Sequence, residues 1–153
     1  MIHVDVPQVS QVFDWREIMK SAPDHTMEGH YNYWFVFEQG DVAIAMFEMM
    51  GPLPPHRHPA THWATVLEGE AECVIGDQYF VARPWDTIRV DIGVPHVVVP
   101  RVGQRWVGFE LTMPRDIIDE VDYLTSGPEF ERIDAIEREH GMWRFDVSGA
   151  AGH

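Results

Sequence analysis

From Tyr31 to about Thr112, apolar and polar residues alternate in short runs broken by Gly, Pro or Asp. "YNYWFVFEQG", "DVAIAMFEMMG", "WATVLEGEAECVIGD", "QYFVARPWD", "TIRVDIG", "HVVVPRVG" and "QRWVGFELT" are each rich in β-branched and aromatic side chains. Many short strands at close spacing predict an all-β sandwich or barrel, since a parallel α/β sheet needs helices between its strands and these gaps leave no room for them. Outside this region the pattern changes. "DWREIMKS" predicts a short N-terminal helix capped by Asp14. After Pro114, "PRDIIDEVDYLTSG" predicts one short helix and "GPEFERIDAIEREHG" a second. The second has Pro128 early, acids in its first turn, Arg138 and His140 in its last, and Gly141 as its stop. Phe130, Ile133, Ala135 and Ile136 give it one apolar side, which suits the outside of the barrel or a second subunit. The chain reads as a single domain over residues 1–153, with the barrel at about 31–112 and a C-terminal helical extension at about 114–141.

Length, composition and charge narrow the class. A chain of 153 residues with 45% hydrophobic content sustains one core without a second domain. The formal net charge of -14 argues against nucleic acid, whose phosphates reward clustered Lys and Arg, and against an anionic membrane surface. No segment approaches the length of a membrane span, and the N-terminus lacks a basic region followed by a long apolar run. A cytoplasmic protein is the expectation. Cys73 is the only cysteine, which rules out an internal disulfide and a cysteine-rich zinc site.

The candidate chemistry lies in "GPLPPHRHPATHWATVLEGE". His56 and His58 are two apart, so in an extended chain both side chains leave on one face. His62 follows four later, a helical spacing in a zinc protease, but Pro59 stands where the glutamate base of that motif belongs. A strand, a tight turn at "PAT" and a second strand beginning near His62 bring three imidazoles to one point instead. His96 in "DIGVPHVVVP" is the fourth candidate: Gly93 and Pro95 supply a turn, and His96 opens a strand with Val98 as its inward partner. The alternative for all four is a set of surface or hydrogen-bonded histidines on loops.

These residues resemble the cupins, small double-stranded β-helix barrels with a jelly-roll-like fold, over roughly Gly51 to Pro100. The first cupin motif runs from a glycine through a spacer to two histidines one residue apart, then a glutamate and a final glycine. Gly51, His56, His58 and Gly69 match it, with a spacer one residue short, and His62 stands where the glutamate ligand is usual. In the second motif Gly93 and His96 match, while Trp85, Asp91 and Pro100 replace the usual glycine, proline and asparagine. The resemblance implies a histidine metal site at His56, His58, His62 and His96, with His62 as a direct or looser ligand.

Neutral imidazoles leave the whole charge of a divalent ion to its exchangeable ligands, which favours an enolate, phenolate or hydroxide. They suit one transition metal per chain, Fe(II) first, with Zn, Cu, Ni or Mn as alternatives. Glu48 and Glu110 fall on strands with one inward face. Each either turns to the metal, where burial raises its pKa toward that of a general base, or points into solvent. Tyr31, Tyr33 and Trp34 read as core or subunit contact, and Met46, Met49 and Met50 as core filling. Three functions fit. The first is an Fe(II)-dependent dioxygenase acting on a small enolisable or phenolic substrate, which the histidine-only ligand set resembles. The second is a non-redox zinc enzyme such as a polyketide cyclase or isomerase, with Trp63 and Trp106 in its cavity wall. The third is a cupin that only binds a small ligand. A homodimer paired through edge strands is also expected.

Overall fold

The computed structural model describes residues 13–115 and 120–142. Asp14 caps α1 (Trp15–Ile18), its carboxylate accepting from the Arg16 and Glu17 amides as the sequence leads one to expect. The strands follow as β1 (His25–Met27), β2 (Tyr31–Gln39), β3 (Val42–Met49), β4 (His56–Arg57), β5 (Thr61–Glu68), β6 (Ala71–Ile75), β7 (Gln78–Ala82), β8 (Thr87–Val90), β9 (His96–Pro100), β10 (Trp106–Met113) and β11 (Asp122–Tyr123), and α2 (Pro128–Glu139) closes the order. They form two antiparallel sheets, β1-β2-β3-β10-β5-β8 and β11-β4-β9-β6-β7. Among the described residues no helix is long and apolar enough to cross a membrane.

Strand alternation decides which side chains enter the space between the sheets. On β3, Ala43, Ala45, Phe47 and Met49 are buried there with Tyr33, Phe35, Ala64, Val66, Cys73, Ile88, Val90 and Trp106. The opposite faces are covered from outside. Trp15, Ile18 and Met19 of the N-terminal segment pack on Trp34, Val36, Met46 and Val107. Ile133 and Ile136 of α2 pack on Val74, Val97 and Val99. The helix thus sits on the barrel through the side the sequence marks, except that Ala135 is exposed and Glu137 takes a buried position instead.

Two glycines bring backbones together. Gly69, at φ 80°, turns β5 into β6, and a Cβ there would stand 2.1 Å from the Arg105 carbonyl oxygen. At Gly108 a Cβ would meet the Phe47 ring at 2.4 Å, so the ring lies over the strand and fills the barrel beside Trp106. The run "WATVLEGEAECVIGD" is therefore two strands hinged at Gly69.

"PRDIIDEVDYLTSG" differs from expectation. Residues 116–119 of that predicted helix lie outside the described residues, and Asp122–Tyr123 is not helical. It pairs as an edge strand with β4, Tyr123 opposite His56 and Asp122 opposite Arg57. Asp122 also accepts from Arg57 Nε at 2.7 Å. Tertiary pairing overrides a weak local helical preference there.

Candidate metal centre

Prolines 52, 54 and 55 keep the connection after β3 out of a helix and deliver His56 to the start of β4, opposite His96 at the start of β9. The two rings lie 4.3 Å apart. His58 stands two residues on, and the turns that carry the motifs are tied together: the Gly93 amide donates to the His58 carbonyl at 2.9 Å and the Ile92 amide to Thr61 Oγ1 at 3.1 Å. One ligand nitrogen from each of His56, His58 and His96 lies within 4.8 Å of the other two.

The hydrogen bonds of the His56 and His96 rings fix their tautomers. His56 Nδ1 lies 2.7 Å from the Pro54 carbonyl and His96 Nδ1 lies 3.0 Å from the Val94 carbonyl. A carbonyl only accepts, so Nδ1–H donates and Nε2 carries the lone pair, the arrangement that orients a metal-binding imidazole. Burial, then the neighbouring His56 and His58 rings, holds His96 well below the ordinary value of 6.5, and the ring is neutral at pH 7. Three imidazoles gathered at one point, those of His56 and His96 buried and that of His58 half-buried, fit a borderline divalent ion such as iron or zinc.

That depressed pKa has a consequence for the metal-free protein. The unfolded chain takes up a proton at His96 near pH 6.5 while the folded chain resists it, so stability is present above 6.5 and lost as pH falls toward the folded pKa. Thermal unfolding of the metal-free protein should move to lower temperature between pH 7 and pH 5, by up to roughly 1.4 kcal/mol per pH unit for this one group. A midpoint constant across that range would contradict the assignment.

His62 stands alongside the three. It is buried near the start of β5, its ring 4.2 Å from that of His58, and Nδ1 lies 3.1 Å from Glu110 Oε2. Glu110 enters the barrel from β10 because its cross-strand neighbours are Ala45 and Ala64, whose short side chains leave room for a carboxylate. Tyr33 donates its phenol hydrogen to Glu110 Oε1. Burial pushes the Glu110 carboxyl up, but His62, by charge and by hydrogen bond, and the Tyr33 hydroxyl outweigh it, so the group lies below its ordinary 4.5 and is ionised at neutral pH. In its singly protonated form His62 donates Nδ1–H to the ionised carboxylate, which leaves the lone pair on Nε2.

Glu48 does not join the site. The alternation that turns Phe47 and Met49 inward turns Glu48 outward, where it accepts from Arg105 at 3.2 Å and Asn32 at 3.1 Å. Trp63 leaves the barrel for the same reason, beneath the Arg89 guanidinium, while Trp106 lines the cavity. Tyr31, Tyr33 and Met49 line it too, and Tyr123 closes one side. The signal for Tyr31 and Tyr33 is present in the sequence as alternation along one strand; for Tyr123 there is none, because β11 forms only against β4. The cavity holds about 120 Å³ and is walled mainly by apolar side chains. That is room for something on the order of one small ring.

A family model for the cupin domain matches residues 44–101. A search of curated proteins gives no match. Among solved structures the chain is similar to the polyketide cyclase RemF from Streptomyces resistomycificus, with 17% identity and a TM-score of 0.64 over 82% of this chain and 99% of that one. It is also similar to an uncharacterised double-stranded β-helix protein from Klebsiella pneumoniae, at 18% identity and TM-score 0.59 over 77% and 100%. The DMSP lyase DddQ from Ruegeria pomeroyi matches at 20% and 0.50 over 55% and 47%. These likenesses concern fold. With its histidine cluster at the positions of the motif histidines, the chain is a cupin-fold protein whose residues 44–101 match the cupin domain.

Proposed function

We propose that the protein is a metal-dependent enzyme that moves a proton at a carbon next to the carbonyl of a small, largely apolar substrate. The observation that carries this reading is the Tyr33–Glu110–His62 chain, buried in the barrel directly beside the three-histidine cluster. A purely ligand-binding or structural metal site has no need of such a chain. Bound at His56, His58 and His96, a divalent metal would supply Lewis-acid polarisation of a carbonyl or phenol oxygen.

The roles of the chain's own groups follow from their contacts. His62 takes the substrate proton at Nε2, Glu110 holds the ring in that tautomer and stabilises it once charged, and Tyr33 keeps the carboxylate ionised and aligned. The apolar wall excludes water from the proton transfer. RemF is a cyclase and DddQ a lyase; ring closure beside a carbonyl and elimination across the adjacent bond both begin with removal of such a proton, and both neighbours favour this reading over a non-catalytic one.

The test is deuterium exchange. Zinc-loaded and iron-loaded protein are incubated in heavy water with a panel of small ketones and β-keto acids, and loss of the C–H signal beside the carbonyl is followed by proton NMR. Metal-dependent exchange above the rate of free metal is expected. No exchange with any member of the panel, together with substrate-dependent oxygen uptake by the iron-loaded protein, would overturn the proton-transfer reading in favour of the Fe(II) dioxygenase chemistry that the ligand set resembles.

A further inference from the structure

The cupin match ends at residue 101, yet the mouth of the metal cavity is completed by residues beyond it. Val121 and Tyr123, on and beside the two-residue strand β11, line the cavity together with the histidines. Tyr123 sits opposite His56 in the β4–β11 pair, its ring 5.7 Å from the imidazole and tilted by 46°. It is 39% exposed, so one part of the ring looks into solvent and another into the cavity.

Three anchors hold this segment in place. Arg57 lies between the two motif histidines, and strand alternation sends it outward, away from His56 and His58. There its Nε donates to Asp122 at 2.7 Å and its Nη1 to Glu129 of α2 at 2.9 Å. The Leu124 amide donates to the Pro55 carbonyl at 2.8 Å, one residue ahead of His56, and the Leu124 side chain is buried. These contacts present one aromatic ring at a defined angle beside the three clustered histidines.

We propose that Tyr123 is the specificity-determining residue of the mouth, a stacking wall that selects ligands carrying a planar aromatic group next to their metal-chelating oxygens. The whole cavity, about 120 Å³, has room for a chelating head and little more, and Tyr123 is its partly exposed wall, so a ring attached to that head lies against Tyr123. An offset or edge-to-face arrangement with the phenol contributes affinity beyond the area it buries. The chemical class is therefore an aryl ketone, aryl diketone or phenol rather than an aliphatic keto acid. This inference rests on the reading of the cavity as a metal-centred carbonyl site.

The experiment uses cobalt(II)-loaded full-length protein, whose visible absorption reports ligand exchange at the metal, titrated with acetylacetonate and with benzoylacetonate, which differ by one phenyl ring. Wild type is expected to bind benzoylacetonate more tightly. Tyr123→Phe should keep that preference. Tyr123→Ala should weaken benzoylacetonate about tenfold and leave acetylacetonate within about twofold. Equal weakening of both probes, no change in either, or tighter binding of benzoylacetonate by Tyr123→Ala would each overturn the proposal. If neither probe alters the wild-type cobalt spectrum, the carbonyl-site reading itself has failed, an outcome separate from a failure of Tyr123 alone. Arg57→Met gives a second check: loosening the anchor should reduce the phenyl preference in the same direction, and an unchanged preference would count against the pinned geometry.

Discussion

Glu110→Gln is expected to lower metal-dependent deuterium exchange by about 10²- to 10⁴-fold, the usual range for a positioned general base, while zinc content stays near one per chain. The substitution keeps volume and shape, so Ala45 and Ala64 still accommodate the side chain. Its amide oxygen can still accept from Tyr33. The amide nitrogen then faces His62 Nδ1, and two donors cannot share a hydrogen, so His62 changes tautomer and carries its proton on Nε2. The base becomes occupied on the side that faces the site. Metal analysis and NMR exchange rates on the same preparation check this; an exchange rate equal to wild type at full metal content would remove Glu110 and His62 from the mechanism. The buried network also loses a charge-assisted bond, at a cost of about 1–3 kcal/mol of stability, which a urea midpoint will show.

His96→Ala is expected to have the larger effect on metal. His96 faces His56 across the β4–β9 pair, and its loss leaves two candidate ligand nitrogens of the three. Removing a hydrogen-bond partner behind a ligand typically costs 10- to 100-fold in affinity, so removing the ligand itself should cost at least about a hundredfold. After desalting, elemental analysis should fall from one zinc per chain to near zero. Retention of one equivalent at wild-type affinity would show that the ion sits elsewhere. Glu48→Gln serves as the contrast: Glu48 lies on the outer face of β3 with Arg105 and Asn32, and its replacement should leave both metal content and exchange unchanged.

The sequence reads well wherever one local rule decides the outcome. The short apolar runs, the Asp14 cap, the Pro128 start and Gly141 end of α2, and the pairing of His56 with His58 on one face all follow from periodicity of two or 3.6 and from turn chemistry. So does the placement of Val98 on the cavity side after His96. Alternation along β3 and β10 leaves two choices each, and only the packing of both sheets selects the inner one: Ala43, Ala45 and Phe47 go in, hence Glu48 goes out and Glu110 comes in. The link between Tyr33 and Glu110 spans 77 residues and depends on β2, β3 and β10 lying side by side, which no local pattern encodes. Asp122–Tyr123 is harder still, since a segment with helical spacing becomes a strand only because β4 offers an edge and Arg57 offers a partner.

The substitution of histidine for the usual glutamate at position 62 illustrates the same point. In sequence it reads as a possible fourth ligand, because it occupies the place of one. The structure puts His62 against Glu110, a residue from another strand that supplies the carboxylate. In the proposed reading the two functions are kept apart, with His56, His58 and His96 for the metal and His62, held by the Glu110 carboxylate, for the proton.

The measurement that tests this division most directly is a zinc titration followed on the imidazole nitrogens of uniformly ¹⁵N-labelled protein. The account predicts saturation at one zinc per chain, with Nε2 of His56, His58 and His96 taking up the metal and His62 remaining a neutral ring whose Nδ1–H donates to Glu110. Coordination of zinc by a fourth imidazole, that of His62, would occupy the base and contradict the account, as would an absence of any shift in the three clustered rings.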